Sequence, residues 1–352
     1  MNTKIVKVDP LSPKEEYIRE AAGIIARGGL VIIPTETVYG IAVNAKDDKA
    51  IDRLYEIKNR PRDKMLSLHI AKKSAIREYA LAVPIAAYKL IEKFWPGPLT
   101  LILKSKEGST IGLRMPNNEV ALEVIFASGV PVYCPSANIS GQPAPGDFES
   151  AIKDLEGKID FAIDAGKTKI GLESTVVDLS IEPPKILREG AIKKEEIFKT
   201  INTKNILFVC TGNSCRSVMA EAVLKKKLKE KNIDNVEVSS AGIMMVGGMG
   251  ASEMTRFVLR KEGIDVSMHR SRGLSPELID RSDIILVMER LHEKRIMELA
   301  PEAKNRVFLL KEFAKMKDNE LDISDPIGST EEFYEETLGI IKQAVERIVD
   351  LI

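Results

Sequence analysis

A cysteine and an arginine with five residues between them, Cys210 and Arg216, stand in the stretch CTGNSCRS. A redox cysteine pair normally has two residues between its thiols, whereas four separate Cys210 from Cys215. A structural zinc site needs about four ligands, and this half of the chain has only His269 and His292 beside its two cysteines. A buried strand-end cysteine is commonly inert. An anion trap uses more of the residues. A strand ending at Cys210, a loop, and a helix beginning near Ser217 would turn backbone N–H groups toward one anion. Gly212 lets the backbone approach closely. Arg216 supplies a planar fork for two phosphate oxygens. The same positive surroundings favour a thiolate nucleophile at Cys210, and Ser217 is placed to hydrogen-bond its sulfur.

A second constellation lies in the first half. IPTETVYGIAV clusters hydroxyls and a glycine after a strand. LYEIKNRPRDKMLSLHI gathers Lys58, Arg60, Arg62 and Lys64 around one proline, and the strand-like MLSLHI follows at once. A charge run is usually a solvated loop; one fixed against a sheet suits a polyphosphate. Arg114, in STIGLRMP, is a plausible carboxylate clamp. CPSANISGQPAPG has the short polar side chains and turn formers of a ligand-lining loop. His69 ends SLHI, and a lone histidine is more often structural than functional.

These residues need elements to carry them. GGLVIIPTET, TLILK, PVYCP, FAID and STVVDLS read as short strands, and EGAIKKEEIFKTINTKN as a polar helix. A fresh apolar run, ILFV, then opens a second series. NILFVC, VMAEAVLKKKLKE, NVEVSS, EMTRFVLRKEG and DIILVM alternate strand and helix, which favours a parallel sheet with right-handed crossovers. The boundary is expected near residues 200–204, and 352 residues suffice for two domains. Lys+Arg and Asp+Glu are both 52. Neither half has the basic excess of a module that grips nucleic acid by its phosphates. No apolar run approaches the roughly 18 residues of a membrane span. The first residues show no secretory signal, and three cysteines suit a reducing cytoplasm.

VCTGNSCRSVMAE resembles the phosphate loop of the low-molecular-weight protein tyrosine phosphatases. The resemblance covers about residues 204–352 and extends to SSAG (239–242), DVSMHRSR (265–272) and SDPIG (324–328). It implies that Cys210 is the nucleophile and that Thr211, Gly212, Asn213, Ser214 and Cys215 form the loop. Asn213 shapes that loop, and Arg216 and Ser217 complete the catalytic set. Asp325 serves as general acid and then as base. Cys215 is implied as a vicinal cysteine that forms a protective disulfide with Cys210 under oxidation. The substrate is a phosphorylated protein side chain, and no cofactor is implied. Val218 stands where the family usually has proline. Tyrosine-specific members carry an apolar residue in place of Ser214 and an aromatic in place of Ile327, whereas arginine-specific members carry a small hydroxyl residue at the first position, so Ser214 leans toward phosphoarginine or another substrate and Ile327 away from phosphotyrosine. No cysteine follows Cys215, which argues against the electron relay of arsenate reductases.

PTETVYG, KNRPRDK, SLHI, WPGPLT, GLRMP, PSANISG, ESTVVD and ILREGAI occur in the order found in the threonylcarbamoyl-AMP synthase family, whose fold is YrdC-type. This resemblance covers about residues 10–195. It implies synthesis of threonylcarbamoyl-adenylate from L-threonine, bicarbonate and ATP, normally with Mg²⁺, and release of pyrophosphate. The product would feed a downstream tRNA-modifying transferase complex, and double-stranded RNA binding is implied as well. Lys58, Arg60, Lys64, Thr110, Ser136, Asn138 and Arg188 would face the nucleotide. Thr35, Thr37, His69, Arg114 and Ser174 would face threonine or its carbamoylated form. Ala144 replaces a frequent family serine.

The chain is thus expected to be α/β. A YrdC-type twisted mixed-sheet domain over 1–200 precedes a Rossmann-like four-stranded parallel-sheet phosphatase domain over 204–352. The expected whole is a bifunctional cytoplasmic enzyme without membrane attachment. The alternative is a nucleotide- or RNA-binding YrdC-type module joined to a regulatory phosphatase-like domain.

Overall fold

The computed structural model describes residues 2–244 and 247–351. Backbone contacts divide the chain into two compact units, Met1–Thr200 and Ile201–Ile352, each with its own sheet.

The strands of the first unit are β1 (Lys4–Lys7), β2 (Val31–Ile33), β3 (Gly40–Asn44), β4 (Ser67–His69), β5 (Leu99–Lys104), β6 (Thr110–Arg114), β7 (Val132–Tyr133), β8 (Phe161–Asp164), β9 (Thr175–Asp178) and β10 (Lys185–Arg188). Their spatial order is β1-β8-β2-β3-β7-β4-β6-β5-β9-β10. Parallel pairs (β1/β8, β8/β2, β4/β6, β5/β9) are joined by antiparallel ones, so the sheet is mixed, as expected. Every residue of β2 and β3 is buried, the pattern of strands covered on both faces. The helix Glu15–Ala26 buries Ile18, Ala21, Ala22 and Ile25, one helical face. The helices Asp48–Ile57 and Glu119–Ser128 begin where Asp47 and Asn118 accept a first-turn N–H, from Ala50 and Ala121. β4 and β6 run parallel in a register that sets His69 against Arg114. Both strands therefore deliver their last residue to the same sheet edge, the usual place for a ligand in a parallel arrangement.

The second unit has β11 (Lys204–Cys210), β12 (Val236–Gly242), β13 (Ile284–Val287) and β14 (Val307–Leu309), all parallel, in the order β12-β11-β13-β14. The expected four-stranded parallel sheet is thus found. Alternate residues of β11 serve opposite cores. Ile206, Phe208 and Cys210 pack with the helices Arg216–Glu230 and Glu331–Val349. Leu207 and Val209 pack with Ile279, Ile296 and Val307 on the other face. A strand buried on both sides must be continuously apolar, and for that reason NILFV stands out in the sequence. Among the described residues no helix is long and apolar enough to cross a membrane.

Candidate active sites

At the β4/β6 edge lies a cavity of about 130 Å³, whose lining includes Thr35, Arg60, His69, Arg114, Ser136, Ser174 and Arg188. Its floor is a chain of hydrogen bonds. Arg114 Nη2 donates to Thr37 Oγ1 at 2.7 Å and to Glu36 Oε1 at 2.8 Å. Thr37 Oγ1 and Thr35 Oγ1 are 2.9 Å apart, and Thr35 donates to the Val38 carbonyl at 2.6 Å. Arg114 and Glu36 are both buried, so each neutralises a charge that would be costly to bury alone. His69 is buried, and desolvation, helped by the Arg114 charge, lowers its pKa to about 3. The ring is neutral and cannot repel a cation beside it.

Two more arginines are held by backbone. Arg60 donates from Nε to the Lys64 carbonyl at 3.2 Å and from Nη2 to the Met65 carbonyl at 2.8 Å. Arg188 donates from Nε to the Ser174 carbonyl at 3.0 Å, from Nη2 to Ser174 Oγ at 3.1 Å, and from Nη1 to Glu173. Ser174 Oγ meets Thr100 Oγ1 at 2.9 Å. Three guanidinium groups thus share one small cavity, an arrangement for anionic ligands. Gly40 is required where it stands: a Cβ there would lie 2.5 Å from Cys134 Sγ.

Thr37, Lys58, Lys64, Thr110 and Asn138 stand outside the cavity lining. Lys58 is fully buried and donates to the carbonyls of Ser136 and Asn138. Burial, with the nearby Arg60 charge, lowers its pKa to about 8. It ties down the loop that carries Ser136, whose Oγ meets Asn138 Oδ1 at 2.5 Å. Asn138 donates to the Gln142 carbonyl at 2.6 Å. Thr110 Oγ1 reaches Met65 Sδ at 3.5 Å.

In the second unit Cys210 ends β11 and the loop 211–215 leads into the helix Arg216–Glu230. Cys210 is buried, with Ser217 Oγ 3.0 Å from its sulfur and the Asn213 N–H donating to that sulfur at 3.3 Å. Asn213 is left-handed, with φ +53°, a conformation asparagine tolerates better than most residues. It is braced from three sides. Its Nδ2 donates to Ser217 Oγ at 3.0 Å and to Ser240 Oγ at 2.8 Å. Its Oδ1 accepts the Arg272 N–H at 3.0 Å, and its carbonyl meets His269 Nε2 at 2.8 Å. The motifs SSAG and DVSMHRSR therefore act by holding the loop. Gly242 has the same purpose, because a Cβ there would lie 2.8 Å from the Thr211 carbonyl oxygen.

Arg216 is wholly buried. Its Nη1 donates to Glu289 Oε1 at 2.6 Å and to the Ile323 carbonyl at 2.7 Å. Its Nη2 donates to Thr211 Oγ1 at 3.1 Å and to Asp325 Oδ2. Asp325, partly exposed, thus reaches the loop from far along the chain. Cys215 Sγ donates to Ser252 Oγ at 3.4 Å and lies 3.6 Å from both Ser214 Oγ and Tyr334 Oη.

Residues 23–190 match the family model Sua5_yciO_yrdC, described as "Telomere recombination", and residues 205–352 match that of the low-molecular-weight phosphotyrosine protein phosphatases. Over 145 residues the chain is 40% identical to the protein-arginine-phosphatase of Geobacillus stearothermophilus, covering 41% of this chain and 93% of that protein. The crystal structure of Pyrococcus abyssi Sua5 complexed with L-threonine is 31% identical, with a TM-score of 0.55, covering 87% of this chain and 99% of that one. The chain belongs to both families. The curated threonylcarbamoyl-AMP synthase of P. abyssi is 44% identical over 216 residues, 59% of this chain. The chain spans 64% of that relative's length.

Glu36, Glu173 and Thr100 in the Sua5-family unit, and Glu289, Ser240 and Arg272 in the phosphatase-family unit, are partners that sequence reasoning did not assign. All but Glu289 lie inside quoted motifs, but nothing in a one-dimensional pattern says which side chain a buried arginine or asparagine will meet. Among the described residues no group of three or more His, Cys, Asp or Glu could hold a metal ion. The one carboxylate lining the cavity, Glu173, is engaged by Arg188. These residues do not form a cage for a resident Mg²⁺.

Proposed function

We propose that the chain is a bifunctional enzyme. The Sua5-family unit makes threonylcarbamoyl-adenylate from L-threonine, bicarbonate and ATP. The observation that carries this reading is the convergence of Arg60, Arg114 and Arg188 on one cavity with a neutral His69. The carbamate of threonine attacks the α-phosphorus of ATP through its carboxylate oxygen, the P–O bond to the β-phosphate breaks, and pyrophosphate leaves. No protein nucleophile is needed, so the protein contributes positioning and charge neutralisation. Arg114, held from behind by Glu36 and Thr37, binds the threonine carboxylate; Thr35, His69 and Ser174 line its side-chain end. Arg60, Arg188 and Ser136 face the nucleotide. Lys58 and Asn138 support the loop that presents Ser136, and Lys64 and Thr110 border the outer part of the nucleotide site. The product serves a tRNA-modifying transferase complex in the cytoplasm, and double-stranded RNA is a further ligand of this unit.

The phosphatase-family unit hydrolyses a phosphorylated protein side chain, phosphoarginine before phosphotyrosine. Cys210 Sγ attacks phosphorus and Asp325 protonates the departing group. Water, deprotonated by Asp325, then attacks the phosphocysteine and releases inorganic phosphate. The carrying observation is the meeting of Cys210, Ser217, Arg216 and Asp325 at one loop. The small hydroxyl residue Ser214 in the loop and the 40% identity to a protein-arginine-phosphatase favour phosphoarginine. Under oxidation Cys215 pairs with Cys210.

Incubation of the full chain with ATP, L-threonine and bicarbonate is expected to yield pyrophosphate and threonylcarbamoyl-adenylate in equal amounts; if neither forms, the synthase reading fails. Phosphoarginine and phosphotyrosine peptides assayed side by side are expected to favour phosphoarginine.

A further inference from the structure

The catalytic scheme for Cys210 leaves two neighbours without a task. Thr211 follows the nucleophile directly and is half-buried. His292 is fully buried in the first turn of the helix Arg290–Leu299. The Glu289 N–H donates to His292 Nδ1 at 3.0 Å. A ring that accepts at Nδ1 and is neutral carries its proton on Nε2. That nitrogen is 3.0 Å from Thr211 Oγ1 and donates to it. Arg216 Nη2 donates to the same oxygen at 3.1 Å. A hydroxyl has two lone pairs and one proton. With both lone pairs met by N–H groups, the Thr211 hydroxyl can act only as a donor, and its orientation is set. Nη2 of Arg216 also holds Asp325. The hydroxyl therefore stands beside the guanidinium arm whose carboxylate partner an incoming phosphoryl oxygen would displace.

We propose that the Thr211 hydroxyl is an additional hydrogen-bond donor to the bound phosphoryl group, and that His292 is the positioning residue that holds it in that role. The proposal rests on the phosphatase reading of the Cys210 loop. An anionic oxygen is the acceptor that suits a hydroxyl whose lone pairs are already engaged, and bonds to charged acceptors are the stronger ones. The charged groups facing His292 are Arg216, Glu289, Asp322 and Asp325.

The test measures binding of inorganic phosphate to the full chain by calorimetry. Thr211→Val removes the hydroxyl at nearly constant shape, and Thr211→Ser keeps it. His292→Asn retains an acceptor for the Glu289 N–H and removes the Nε2 donor, while His292→Gln places a donor near the Nε2 position. Thr211→Val is expected to weaken phosphate binding about tenfold, Thr211→Ser to bind within about twofold of the parent, and His292→Asn to weaken it several-fold with partial rescue by His292→Gln. The double variant T211V/H292N is expected to bind no more weakly than T211V alone, because His292 acts through Thr211. Unchanged affinity in Thr211→Val overturns the donor role, and multiplying losses in the double variant overturn the positioning role. Should a His292 variant fail to fold, the Thr211 pair still decides the first claim. Phosphate binding needs no turnover, so a chain that binds phosphate through Thr211 yet hydrolyses neither phosphoarginine nor an aryl phosphate would refute the phosphatase reading and leave this one standing.

Discussion

The two candidate sites are built in opposite ways. The candidate phosphatase loop is contiguous: eight residues from Cys210 to Ser217 carry the proposed nucleophile, backbone donors, arginine and serine. Only Asp325 and the bracing groups come from elsewhere. The synthase cavity draws its polar lining from positions scattered between Thr35 and Arg188, and no two of its three arginines are neighbours in the chain. The first design concentrates chemistry in a loop after one central strand and uses the sheet as a mount. The second distributes it, so that the sheet itself is the template. A contiguous site should fail through single residues, a distributed one through its supports.

The largest effect expected from that contrast is at Cys210. Cys210→Ser should lower aryl-phosphate hydrolysis by more than about a thousandfold and leave threonylcarbamoyl-adenylate formation unchanged; parallel steady-state assays on one preparation check both. Asp325→Asn should cost about 10²–10³-fold in kcat. Its loss should be smaller for aryl phosphates with acidic leaving groups, which need no protonation, and a leaving-group series reads this directly.

In the synthase unit the supports should dominate. Arg114→Ala strands Glu36 as an unpaired buried carboxylate and should destabilise that unit by about 3–5 kcal/mol, measured by urea unfolding. Adding Glu36→Gln should restore part of the loss without restoring activity. If Arg114→Ala instead leaves stability intact and only raises the KM for threonine, the cavity is less dependent on its lower layer than the geometry implies.

The smallest effect concerns acid. His69 and His292 are held neutral, at about 3 and 4, by burial first and by the neighbouring arginine next. Unfolded, each would take a proton below its ordinary 6.5. Their contribution is therefore complete above pH 6.5 and is lost as pH falls toward 4, in each unit by about 1.4 kcal/mol per pH unit. Denaturant midpoints between pH 7.5 and 4.5 should fall with this sign, and His69→Gln and His292→Gln should each flatten the slope of its own unit.

Much of the fold was legible because central strands buried on both faces must be apolar runs. NILFV, DIILV, TLILK and FAID all became strands. KIVK and KILR, the outermost strands of the first sheet, mix charged with apolar residues, since an edge strand faces water, and they drew no strand assignment. At the sites the same physics divides what could be seen. Cys210, Arg216 and Ser217 lie within eight consecutive residues, so their types and spacing sufficed to suggest an anion trap. From its neighbours in the chain Lys58 reads as a charge in a basic loop, and from the resemblance as a residue facing the nucleotide. Its burial against the carbonyls of Ser136 and Asn138 depends on where a loop about 80 residues further along the chain returns.

By itself the sequence determined the division into two α/β units, the central strands, and the contiguous phosphate loop, because these follow from local periodicity and from residues close along the chain. Tertiary structure alone decided that Glu36 backs Arg114, that Glu289 and Asp325 share Arg216, and that His292 faces Thr211. Each joins a buried polar group to a partner across a long sequence separation. Burial makes an unmatched partner costly, but which groups meet is set by strand register and helix placement, which a linear pattern does not contain.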